Sequence, residues 1–320
     1  MRALLLVAVA ILLIVLTPLF GGGLDSEHAS LIFWQLRVPR MLMGVLVGGT
    51  LSVVGAAYQL VFGNPLATPS TVGTTAGAVL GALVALVIGI PPLLAGVPVL
   101  ALAAFAGALA TSLIVSSLAA SGRAHLHDVL LAGIAVTLAA GAISAGLQYT
   151  ADMGARFAAI QWSLGHLPQV GYRGVAVILP FVAVTWVVLL ASIRGLRALT
   201  GGEALAHAQG VNVARLRVLV LGGGALGVAA TVAWCGPIAF VGLVVPHLVR
   251  LLLGHSPRIL LPASIVFGAT FLVLCDLMAR IVLPGREVPV GVITAALGAP
   301  SLLALLIHRT ARAPGDTYRA

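Results

Sequence analysis

The chain has 320 residues, 61% of them hydrophobic and only 8% charged, with a mean hydropathy of +1.17. A soluble fold has too little interior to hide that much apolar surface, so an ordinary soluble domain is excluded and a bilayer protein is expected. The formal charge is +9 and all 17 basic residues are arginine; with no lysine there is no P-loop, whose Lys must reach the β/γ-phosphates of a nucleotide.

A spanning helix needs roughly 20 mostly apolar residues. Apolar spans read as 3–20, 41–62, 71–90, 93–119, 129–149, 174–193, 216–234, 236–253, 260–282 and 290–307. The expected fold is therefore all-α, a polytopic membrane protein of about ten transmembrane helices. Residues 1–320 are read as one transmembrane domain. The 38 glycines suit tight helix packing, and the 5% aromatic content leaves a thin interfacial belt. The first span reads as a membrane helix rather than a signal peptide, because its apolar run is long and no small-x-small cleavage site precedes Asp25.

At the mouth of the second span stands Arg37-Val38-Pro39-Arg40. Proline suits a helix start, where its fixed φ is useful and its missing N–H is not needed. The two arginines either anchor the interface by snorkelling or serve a purpose of their own. The second span ends in Gln59 to Pro69, where two prolines and Asn64 make irregular backbone. Such backbone is tolerated at membrane depth only when buried in protein or lining a wet cavity; a plain turn is the alternative. Thr71 to Ala78 is rich in Gly and Thr and suits close packing or a polar wall.

The segment Gly154 to Gly165 is too short to span and reads as a surface or re-entrant helix. The connection from Arg194 to Arg217 is the longest on its side. Within it, Gly202 to Gly210 has the length of a two-turn helix, suited to a partner's cleft or to a solvated loop. Cys235-Gly236-Pro237 reads as a tight turn between the seventh and eighth spans. The Pro246-His247 pair inside the eighth is unusual: Pro246 frees the carbonyl four residues earlier, and His247 offers a ligand or proton relay, although a lone His is more often satisfied by a neighbour. Asp276 and Arg280 stand at i, i+4, with Glu287 soon after, and read by default as a structural pair.

The arginines lie singly between apolar segments, which is a topology signal and not a nucleic-acid patch. With the N-terminus inside, Arg2, Arg123, Arg194, Arg197, Arg215, Arg217, Arg250, Arg258, Arg309, Arg312 and Arg319 fall inside. Arg37, Arg40, Arg156, Arg173, Arg280 and Arg286 fall outside. Eleven against six places both termini in the cytoplasm. Cys235 and Cys275 imply neither a disulfide framework nor a Cys-rich metal site. No catalytic constellation and no metal or cofactor site is expected.

Taken in order, these motifs resemble the FecCD-type permeases, the membrane halves of type II ABC importers for iron–siderophores, haem and vitamin B12. Arg37-Val38-Pro39-Arg40 is similar to the family's R-x-P-R, Asn64-Pro65-Leu66-Ala67 to its N-P-L-A, Leu131-Ala132-Gly133 to its L-A-G and Trp162-Ser163-Leu164-Gly165 to its W-x-x-G. Phe240 to His247 with Arg250 resembles the family signature, and Glu287-Val288-Pro289-Val290-Gly291 and Gly298-Ala299-Pro300 follow. The chain departs where Gly63 replaces the usual Arg before N-P-L-A, and where Glu203-Ala204 and Gln209-Gly210 stand for G-E-E-x-A and L-G.

The resemblance implies a ten-helix subunit of the bacterial inner membrane that forms a homodimer. Two cytoplasmic ABC ATPase subunits bind below it, and a periplasmic or lipoprotein substrate-binding protein docks above. Arg37, Arg40 and Arg280 are expected to lie exposed at the outer surface for that docking. Gly202, Glu203, Ala206 and Gly210 are expected to couple to the ATPase within a loop of about 195–215. The fifth and tenth spans are expected to line a wide, smooth pathway, through Ala142 and Gln148, with a polar gate at His125 to Asp128 that includes His127 and Asp128. The competing class is an ion-coupled secondary transporter, which needs a midplane acid; Asp276 is the one candidate.

Overall fold

A computed structural model of the chain describes residues 2–20, 28–89, 93–94, 97–120, 126–168, 171–283 and 286–311. Arg123, His125, Arg312 and Arg319 lie outside the described residues, and of His127 the backbone alone is described. The elements follow in chain order: α1 (Arg2–Leu16), then a 3₁₀ turn (Thr17–Leu19); α2 (Ala29–Leu31), a π-helical turn (Ile32–Arg37) and α3 (Val38–Val61). A second 3₁₀ turn (Pro69–Val72) leads into α4 (Thr74–Ile88). Two short strands, β1 (Leu93–Leu94) and β2 (Val97–Pro98), pair antiparallel before α5 (Val99–Ala120). There follow α6 (Leu126–Thr150), α7 (Met153–Ser163), α8 (Arg173–Ala191), α9 (Ile193–Leu199), α10 (Glu203–Ala208), α11 (Val213–Cys235), α12 (Val241–Leu253), α13 (Pro257–Ile281) and α14 (Val290–Ala311).

Six of the apolar helices are long enough to span by length and composition, and four shorter ones, Leu4–Leu19, Thr74–Ile88, Val241–Leu253 and Val290–Ala304, fill the remaining expected positions. The 13 residues of α12 reach only about 20 Å. The eighth span is thus a short helix preceded by irregular backbone over 236–240, not a helix throughout.

The bundle is built around α3. In the run Ala29–Val61, 83% of the apolar window is buried, against 22% for Asp128–Thr150 on α6. A helix buried on all sides belongs to the core, while α6 leaves most of its surface to lipid or to another subunit. Small residues permit the closest approach. A Cβ on Gly48 of α3 would stand 2.3 Å from the Gly268 carbonyl oxygen of α13, and one on Gly268 would stand 2.4 Å from that of Gly48. Gly77 of α4 and Gly107 of α5 meet in the same reciprocal way, at 2.4 and 2.1 Å. Neither crossing tolerates a side chain, and such contact is what holds apolar helices together in lipid.

Two prolines show how helices continue where local rules would end them. Pro39 is the second residue of α3, as expected of a proline near a helix start, but the π turn joins α3 to α2, so the helical run is continuous from Ala29. Proline leaves the carbonyl four residues back without its donor, here Gln35, and the Gly171 N–H fills that place at 2.9 Å. The π turn absorbs the register change, with Val38 N–H donating to the Phe33 carbonyl. In α12, Pro246 frees the Gly242 carbonyl, and the Gln59 side chain donates to it from Nε2 at 3.2 Å. Gln59 reaches it because α3 and α12 cross at glycine: a Cβ on Gly55 would lie 2.0 Å from the Gly242 oxygen.

Candidate functional site

The conspicuous polar cluster lies at the end of the bundle where α3 begins and α13 finishes. Arg40, one turn into α3, donates through Nε to Asp276 Oδ1 at 2.8 Å and Oδ2 at 3.1 Å, and through NH1 to Glu287 Oε2 at 2.8 Å. Arg280 Nε lies 3.3 Å from Asp276 Oδ2, one turn along α13. Arg37 donates through NH1 to the Pro18 carbonyl at 2.9 Å, tying the turn after α1 to the start of α3. Such forks satisfy a guanidinium whose desolvation would otherwise be costly.

This overturns the expected exposure of the docking arginines. Arg37 and Arg40 are each 7% exposed, and Arg280 is only partly open. Arg40 spends Nε, NH1 and NH2 on Asp276 and Glu287, while Arg37 gives NH1 to the turn after α1 and Arg280 gives Nε to Asp276. The sequence pairs Asp276 with Arg280 correctly but misses Arg40, its shorter partner.

The same end gathers the other connections. The His166 N–H donates to the Cys235 carbonyl at 2.8 Å, and Gly291 N–H to that of Gly165 at 3.3 Å. His166 lies in the α7–α8 connection with its side chain exposed. Desolvation by its neighbours, then the Arg40 charge, hold its imidazole below the ordinary range. Phe240, in the turn before α12, takes φ +67°, the one non-glycine residue with positive φ among those described. Its ring is accommodated by Gly298 of α14, where a Cβ would fall 2.3 Å from the Phe240 Cβ.

At the opposite end, α9 and α10 form a small hairpin beside the first turns of α11. Gly202 (φ +98°) and Gly210 (φ +75°) bracket α10 with backbone that an L side chain rarely adopts. Glu203, in the first turn of α10, is ion-paired with Arg217 of α11. Ala206 is fully buried, and its carbonyl accepts from the Val211 N–H at 3.0 Å. Ala206, one of the residues expected to couple to the ATPase, does not face outward: its methyl fills the seam under α10. The outward face is Leu205, 48% exposed, with Glu203, His207 and Ala208.

On α6 the structure separates the expected pathway residues. Ala142 is exposed, and Asp128 is exposed in the first turn. Gln148 is half-buried and lines a cavity of about 30 Å³ with residues of α4 and α7, including Leu83 and Trp162. Six residues apart, Ala142 and Gln148 point to different sides of the helix, so they do not share one wall. Nor is the open face smooth along its length. Leu131, Ile134 and Leu138 project from its first half, and in the second half Ile143 and Tyr149 stand exposed beside Ala142, Ala145 and Gly146. Within one chain α6 packs on α4 and α5, while α14 packs on α13 and α12.

Ten apolar helices among the described residues, pinned by a buried arginine fork at one end and carrying a helical hairpin at the other, make a multi-pass membrane protein. Residues 3–308 match the FecCD transport family, and the chain belongs to it. It is similar to the cobalamin import system permease of Halobacterium salinarum, 40% identical over 294 residues, covering 90% of this chain and 76% of that protein. It is also similar to the hemin transport system permease of Yersinia pestis, 38% identical over 288 residues, covering 89% and 85%. A solved structure of a metal-chelate-type ABC transporter in an inward-facing conformation superposes with a TM-score of 0.85 at 28% identity, covering 95% of this chain and 99% of the other.

Proposed function

We propose that two copies of this subunit form the membrane pathway of an ATP-driven importer for a metal chelate, with vitamin B12 or haem ahead of an iron–siderophore. The observation that carries this reading is the likeness over nearly the whole chain to the metal-chelate transporter structure, together with relatives named for cobalamin and hemin. In this reading the permease sits in the inner membrane with both termini in the cytoplasm. A substrate-binding protein docks at the Arg40 end. Arg37 and Arg40 contribute by holding that rim in shape, since Arg40 fixes the α13–α14 connection through Glu287 and Arg37 fixes the α1 turn through Pro18. Two ATPase subunits seat on the α9–α10 hairpin. The Glu203–Arg217 pair passes their movement to α11, and the two halves rock between outward- and inward-open states. The second copy covers the open faces of α6 and α14, where Leu138, Leu303 and Ile307 are exposed.

An ion-coupled mechanism finds no support in Asp276, whose carboxylate is held by two arginines. The test is uptake into proteoliposomes that contain the permease with its ATPase and binding protein. Cyanocobalamin, haem and an iron–siderophore are offered separately, and accumulation of one should require ATP and no ion gradient. Uptake driven by an imposed proton or sodium gradient without ATP would overturn the reading.

A further inference from the structure

A cleft of about 1050 Å³ opens at the hairpin end of the bundle, where α3, α12 and α14 meet. Its polar lining comprises Gln59, Thr200, His247, Arg250, His255 and Ser301, and no carboxylate is among the described residues that line it. The volume is at the upper end of that of pockets for small organic ligands, about 300–1000 Å³.

Arg250 sets this cleft apart. It stands in the last turn of α12, where the helix carbonyls partly offset its charge. Yet Arg40, Arg217 and Arg280 each face a carboxylate, whereas Arg250 makes no side-chain hydrogen bond or ion pair among the described residues, and its NH1 is buried without an acceptor. Gln59, 3% exposed, spends its Nε2 on the Gly242 carbonyl and leaves Oε1 buried without a donor. Guanidinium nitrogens of Arg156 and Arg217 are also buried without an acceptor, but each of those groups bonds through another nitrogen; Arg250 bonds through none among the described residues, and with Gln59 Oε1 beside it the cleft calls for an occupant. The occupant must bring an anionic acceptor for Arg250 and an N–H or O–H donor for Gln59.

We propose that this cleft is an anion-recognition site that takes a carboxylate or phosphate group of the transported chelate at the end of its passage. The naming of the chelate rests on the transport reading above; the site itself does not. A lipid headgroup carries the same chemistry, and the test separates the two. The cleft is concave and lies between helices, so a small molecule fits it better than a protein surface does.

The full-length chain is placed in phosphatidylcholine nanodiscs and titrated with haem, which has two carboxylates, and with haem dimethyl ester, which has none, following quenching of its tryptophan fluorescence. Wild type should bind haem about tenfold more tightly than the ester, the scale of one charge-assisted hydrogen-bonded contact. R250Q should erase that preference while leaving ester affinity unchanged. R250K, which keeps the charge without the planar fork, should retain part of it, and it serves as the readout should R250Q not elute as a monodisperse protein. Equal binding of haem and ester by wild type, or a preference that survives R250Q, overturns the site. In a parallel arm, native mass spectrometry from nanodiscs containing phosphatidylglycerol reads lipid retention. Retention that R250Q abolishes, with no haem preference in phosphatidylcholine, keeps the anion site and overturns the chelate as its ligand. Ion-driven uptake in the transport assay would sink the importer reading and leave this titration interpretable.

Discussion

Arg40 and Asp276, 236 residues apart in sequence, meet through both carboxylate oxygens, with Arg40 Nε at 2.8 and 3.1 Å and its NH2 2.8 Å from Oδ1. The same guanidinium reaches Glu287 beyond the end of α13. One side chain of α3 therefore fixes both where α13 ends and how the chain turns back toward α14. The glycine crossing at Gly48 and Gly268 sets how closely the two helices approach, and the arginine fork sets their register.

The two acids of this fork differ in environment, and so should their removal. The Asp276 side chain is 4% exposed and that of Glu287 is 45% exposed. D276A leaves the Arg40 charge buried and short of its closest partner, and should destabilise the protein by about 3–5 kcal/mol. E287A removes a half-exposed partner that solvent screens, and should cost about 0–1 kcal/mol. Unfolding midpoints in detergent measure both. An E287A variant as damaged as D276A would mean that Asp276 is not the anchor.

Close packing predicts a second contrast. A side chain at Gly268 collides with the backbone oxygen of Gly48, which cannot rotate away, whereas a Cβ at Gly141 meets nothing within 4 Å. G268L should force α3 and α13 apart and cost at least about 3 kcal/mol. G141A should be neutral, or gain up to about 1 kcal/mol from helix propensity. The yield of monodisperse protein and its thermal midpoint distinguish them.

The Gln59–Gly242 contact gives a third. Q59L keeps side-chain bulk but strips the donor from a buried carbonyl that Pro246 has already deprived of its helical partner. The expected loss is about 1–3 kcal/mol. P246A supplies an N–H at that position and should restore much of the loss in a Q59L background. A double variant no more stable than Q59L alone would show that the carbonyl is satisfied in some other way.

The ten helices, their order and the short α7 and α10 were legible in the sequence, because long apolar runs, prolines and glycines act locally. So was the Asp276–Arg280 pair, which one helical turn brings together. Arg40 as the better partner was not, because that contact depends on how α3 and α13 cross. Pro39 was legible as the start of α3; the helical turns before it were not, because the donor to the Gln35 carbonyl, Gly171, comes from a distant loop. The smooth wall expected of α6 came from averaging its composition around the whole helix, and its faces differ. The burial of Ala206 was not legible, because alanine fits a seam and a surface equally well.

The burial of Ala206 decides which residue of the α9–α10 hairpin can probe the proposed ATPase contact. A charge at Ala206 enters a fully buried seam between α10 and its surroundings, so A206E should unseat the hairpin and lower stability, whatever the residue does in coupling. Leu205 is the better probe: it is 48% exposed on the outward face of the same helix. L205E should leave the stability of the chain within about 0.5 kcal/mol of wild type, as exposed substitutions do. If the ATPase seats on this face, the charge meets a partner surface instead of water. ATP hydrolysis by the assembled complex should then lose most of its dependence on loaded binding protein, and uptake should fall at least tenfold. Both readouts come from the same proteoliposomes, with stability measured separately on the purified chain. An L205E transporter that folds, assembles and transports at the wild-type rate would move the ATPase contact off α10.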